Sequence, residues 1–82
     1  PEMNLPADAS KHRLAHVHRS APGGLATING LLGEHDVNIE AQSLSTRGDI
    51  GYVLTDIAAG VSPEVLSALA ALPETVRVRE LS

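Results

Sequence analysis

The apolar residues of this chain switch repeatedly between a two-residue and a 3.6-residue period, and that order of periods leaves few folds open. Arg13 to His18 alternates, with Leu14, Val17 and the histidines of "HVH" placed as on a strand. From Gly23 to Glu34, Leu25, Ile28, Leu31 and Leu32 fall at three- and four-residue spacing, which makes one apolar helical face. Gly33 and Asp36 mark its end. Val37 to Thr46 alternates again, with Ile39 and Ala41 on one face and Glu40 and Gln42 on the other. "RGD", Arg47 to Asp49, predicts a turn, and Gly51 to Ala58 returns as a strand. Ser62 is an N-cap followed by Pro63 and Glu64, the pattern of a helix start. Val65, Leu66, Leu69 and Leu72 form its stripe, and Pro73 ends it. Val76 and Val78 alternate with Arg77 and Arg79 in a last strand.

The order is β-α-β-β-α-β. It predicts an α+β, ferredoxin-like split βαβ fold: a four-stranded antiparallel sheet with both helices on one face. The other face is expected to be bare and to carry Glu40, Gln42, Tyr52, Leu54 and Asp56. Residues 1–11 (Pro1, Pro6, Asp8 and Ser10 without periodicity) are expected to be a linker from a preceding domain, with the folded domain over 12–82.

A chain of 82 residues is one domain, and at this size it buries only about 60% of its unfolded surface. It has no cysteine and Tyr52 is its sole aromatic, so the core must come from Leu, Val, Ile and Ala. So small a core points to self-association or attachment to something larger, and unpaired sheet edges invite a second copy. Six basic residues against ten acidic give a net charge of −4, which argues against a nucleic-acid partner. No apolar run approaches the ~20 residues of a membrane span. With no signal peptide and Pro1 at the start, the expectation is a piece of a longer cytoplasmic protein.

"HRSAPGGL" is the first candidate site. A helix start offers unpaired N–H groups and partial positive charge, which suits a carboxylate. Glycines let a ligand approach the backbone, and His18 and Ser20 add polar groups. The alternative is a plain connection in which Pro22 starts the helix. His16 and His18 project from one strand face, but no third ligand is evident, so no metal site is expected. Asn38 either caps a turn or offers its amide to a polar ligand. Asp49 and Asp56 show no partner, and Ser43 and Ser45 lack a nucleophile context. A binding or regulatory module therefore outranks an enzyme.

From His12 to the end, the chain resembles the ACT domain at the C-terminus of bacterial D-3-phosphoglycerate dehydrogenase. "HVH…PG", "VNI.AQ.L" and "GYV..DI" carry the likeness. The resemblance implies a regulatory domain, itself without cofactor, whose parent enzyme oxidises 3-phosphoglycerate with NAD on catalytic domains elsewhere in the parent chain. It implies that two copies pair edge to edge and that L-serine binds at their interface and inhibits. Family contacts fall on His18 and Asn38, the latter reaching across from the second copy, and the turn matches at Pro22 and Gly23. The family's asparagine between them falls on Ser20, a shorter group. A lost contact of this kind costs about 1–3 kcal/mol, so serine is expected to bind weakly, or another amino acid to be the effector. The competing implications are a ligand-free oligomerisation domain, or an ACT domain of another enzyme sensing a different amino acid.

Overall fold

The computed structural model describes residues 12–81; the expected linker, 1–11, and Ser82 lie outside the described residues. The elements are β1 (His12–Arg19), α1 (Gly24–Glu34), β2 (Ile39–Arg47), β3 (Ile50–Ile57), α2 (Pro63–Ala70) and β4 (Thr75–Leu81). They form one sheet in the order β2-β3-β1-β4, antiparallel at every pairing. This is the expected ferredoxin-like arrangement. β2 and β4 are the edges, and each helix crosses between parallel strands that are not neighbours.

The core is aliphatic, as the composition requires. Leu14, Val53 and Ile57 of the sheet meet Ile28 and Leu32 of α1 and Val65 and Leu69 of α2. Burying a side chain of this kind contributes about 1.5–3 kcal/mol, and both helices draw on the same sheet face. Their ends follow local chemistry. The Ser62 hydroxyl accepts from the Val65 N–H, with Pro63 at the first helical position. α1 closes with Asp36 in the left-handed region at φ 58, where Asp36 N–H donates to Gly33 O and Val37 N–H to Leu32 O. That pair of bonds satisfies the last carbonyls and turns the chain into β2.

Three expectations need correction. Gln42 does not lie on the bare face: it exchanges hydrogen bonds with Asn29 of α1 at 3.1 and 2.8 Å and donates to Thr55 Oγ1 at 2.9 Å. Ile39 pairs with Ile57 and Ala41 with Asp56, so Glu40 is an extra residue in a β-bulge. One added residue reverses the alternation, which returns Gln42 to the helix side and puts Ala41 on the other. A second irregularity in the pairing of β1 with β4 skips Val76, leaving it 54% exposed rather than in step with Val78. Finally, Asp56 has a partner. It sits opposite Arg13, whose Nε and Nη2 donate to its two carboxylate oxygens at 2.5 and 3.0 Å. The pairing raises the pKa of Arg13 further above its ordinary value, chiefly through the side-chain hydrogen bond.

Candidate functional site: the junction of β1 and α1

Strand alternation puts Leu14, His16 and His18 on the helix side of β1, and all three are buried. Both imidazoles therefore lie beneath the helices, where each polar atom needs a partner. His16 Nε2 is 2.9 Å from Thr75 Oγ1, and that hydroxyl donates to Leu69 O at 2.7 Å. The hydroxyl proton is thus committed, so His16 carries its proton on Nε2 and donates it to Thr75. His18 Nδ1 lies 2.9 Å from Arg19 O, which can only accept, so His18 carries its proton on Nδ1. The remaining nitrogens, His16 Nδ1 and His18 Nε2, are buried acceptors without a partner. The two rings stand 5.5 Å apart, centre to centre. Burial pushes the His16 pKa down to about 4, with a smaller contribution from neighbouring His18.

Beyond His18 the chain is pinned on both sides. Arg19 N–H donates to Glu74 O and Ser20 N–H to Asp49 O, each at 2.7 Å. Gly23 then takes φ 79, a conformation that favours glycine, and serves as the N-cap of α1. No side chain caps this helix, and no acidic residue stands in its first turn. The helix start is left available to an anion.

Above the histidines lies an open cavity of about 390 Å³. Its walls include His16 and His18 of β1, Pro22 of the loop before α1, Gly24 and Thr27 of the first turn of α1, Leu72 to Glu74 from the segment joining α2 to β4, and Thr75 at the start of β4. It is large enough for a small polar metabolite, and Glu74 is the one charged residue in its lining. Among the described residues, no three of His, Cys, Asp and Glu gather as metal ligands would.

The sequence-predicted residues divide by position. His18 and Pro22 line the cavity. Ser20 and Gly23 belong to the same junction but stand outside the lining, and both are exposed. Asn38 is exposed at the opposite end of the sheet, where its carbonyl accepts from Ala58 N–H at 3.2 Å. Neighbouring Ile39 lies level with His12 through Ile57, so within one chain Asn38 and His18 are roughly 20 Å apart along the strands. His16, read from the sequence as a strand residue beside His18, joins the lining, and Thr75 and the segment before β4 join it without any signal in the sequence. They enter through pairings between distant stretches of sequence, which leave no local signal.

The model of the AHAS small subunit-like ACT domain matches residues 14–77. The chain belongs to this family of ACT domains. It is also 42% identical over 83 residues to D-3-phosphoglycerate dehydrogenase of Escherichia coli, and 40% identical over 81 residues to the enzyme of that name from Dictyostelium discoideum. Each match covers 99% of this chain but only 20% and 19% of the relative, so this ACT domain spans about one fifth of their length. Among solved structures, the ACT domain from GTP pyrophosphokinase of Chlorobium tepidum superposes with a TM-score of 0.74 at 18% identity, covering 87% of this chain and 96% of that one. At that identity the likeness concerns the fold. No helix among the described residues is long and apolar enough to cross a membrane.

Proposed function

We propose that this ACT domain is the amino-acid sensor of a cytoplasmic, NAD-dependent D-3-phosphoglycerate dehydrogenase, and that L-serine bound between two copies inhibits the enzyme. The domain itself binds and does not catalyse. The observation that carries the reading is the cavity between an uncapped helix start and the buried His18. A zwitterion suits that chemistry: its carboxylate is favoured at the α1 N-terminus, and its ammonium by the Glu74 side of the lining. Identity of about 40% to dehydrogenases along 99% of the chain supports the parent enzyme and its substrate.

His18, Ser20, Pro22 and Gly23 of one copy form one half of the proposed site. Asn38 cannot join them within a chain, but edge pairing supplies it. β2 is an edge, and two β2 strands related by a twofold axis run antiparallel. The Asn38 of a second copy then comes beside the Arg47 end of β2. That end is level with Arg19, through Ile50, and so with the junction. A ligand held by both copies favours the clamped state, and it shifts activity only by its differential affinity for the two states, typically about 1–3 kcal/mol.

Titration calorimetry of the chain with L-serine and other amino acids tests the proposal. The expected result is saturable binding of L-serine, weaker than micromolar because Ser20 is one atom shorter than an amide. Tight micromolar binding removes the weakened-site reading. Heat from another amino acid alone reassigns the effector, and heat from none favours a ligand-free pairing domain. In the full enzyme, Asn38→Ala should abolish inhibition by serine and leave basal activity intact.

A further inference from the structure

His18 and Gly51 stand directly opposite each other in the pairing of β1 with β3. Facing residues of an antiparallel pair share a side of the sheet, so the imidazole and the bare Cα of Gly51 both lie beneath the helices. The ring folds over that Cα. A methyl group on Gly51 would sit 2.7 Å from both Cε1 and Nε2 of His18, closer than real side-chain contacts allow. From the other direction, a methyl on Gly24 would sit 3.3 Å from Cε1. The ring is thus held between a glycine of the sheet and the first residue of α1. Its Nδ1–H is tied to Arg19 O, and its Nε2 is shielded from solvent without a partner. Packing, rather than hydrogen bonding at both nitrogens, fixes its position.

We infer that Gly51 is a positioning residue for the effector site: it gives the Cε1–Nε2 edge of the His18 ring room to lie close against the strand, which keeps the cavity above it open. A side chain at position 51 must displace the ring, because the ring is the movable partner and the strand is not. Gly24 leaves the ring space on its other side, and both His18 and Gly24 line the cavity, so the cavity is an open direction for the displaced ring. The substitution therefore fills the ligand's space from below without touching a ligand. The consequence for binding rests on the effector reading above. The geometry of the seat does not.

The test uses Gly51→Ala, His18→Ala and the double variant of the chain, with three readouts. Thermal unfolding is expected to show Gly51→Ala lowering the melting temperature beside His18 but not beside Ala at position 18, where the clash is gone. Nitrogen-15 spectra of the imidazoles are expected to show the His18 ring signals moving in Gly51→Ala while the amide spectrum keeps its dispersion. Titration with L-serine is expected to show affinity falling at least tenfold in Gly51→Ala. An equal loss of melting temperature in both backgrounds overturns the inference, since the glycine then serves the strand alone; so do unmoved ring signals, or serine affinity unchanged from a native chain that binds it. Should the native chain bind no serine, the effector reading fails, while unfolding and ring spectra still decide the role of Gly51.

Discussion

His16 Nε2 donates to the Thr75 hydroxyl across 2.9 Å, and that hydroxyl in turn donates to the carbonyl of Leu69 at 2.7 Å. This short relay joins β1, the start of β4 and the end of α2. It also fixes the wall of the cavity on which the proposed function depends.

Removing the middle of the relay strands both ends. Thr75→Val keeps the shape but leaves the buried His16 N–H without an acceptor, at a cost of about 1–3 kcal/mol. Thr75→Ser restores the hydroxyl and should recover most of the loss. Urea unfolding midpoints of the two variants check this; a loss confined to Thr75→Ser would mean that the methyl group, not the hydroxyl, matters.

The same histidine makes stability depend on pH. Its pKa is depressed to about 4 in the folded chain from an ordinary 6.5, mainly by burial. Between those values the unfolded chain binds more protons, so stability rises with pH through this window. The contribution is fully present above pH 6.5 and lost as pH falls towards 4, amounting to about 3 kcal/mol at most. His16→Gln, which cannot titrate, should flatten the slope of unfolding free energy between pH 7 and 4. A slope that survives belongs to other groups.

Arg13 and Asp56 are asymmetric partners, because Asp56 is 2% exposed and the Arg13 side chain 23%. Arg13→Leu leaves a buried carboxylate without its guanidinium, a loss of about 3–5 kcal/mol. That is a large fraction of the stability of a chain this small. Arg13→Leu combined with Asp56→Leu should be more stable than Arg13→Leu alone. Denaturant titration of the single and double variants measures the difference.

Leu44 is 47% exposed on edge strand β2, and Val76 is 54% exposed on the opposite edge, β4. If two copies join along β2, Leu44→Glu should leave the chain monomeric in sedimentation, and Val76→Glu should not. Dissociation by Val76→Glu alone would move the seam to β4 and separate Asn38 from the junction.

The sequence by itself determined the order of elements and where most of them begin and end. Periodicity, the Ser62-Pro63 helix start and the turn within Arg47 to Asp49 are written in neighbouring residues, and neighbours meet in any fold. It also determined that the core is aliphatic and that the junction at His18 to Gly23 is unusual. Tertiary structure alone decided which way key side chains point. The bulge at Glu40 adds one residue, and since strand faces alternate every residue, that addition moves Gln42 from the bare face to Asn29 and Thr55. His16 finds Thr75 across 59 positions, Arg13 finds Asp56 across 43, and the wall around Glu74 closes the cavity. Contacts between such distant residues exist only once the sheet has paired, and no local pattern encodes them.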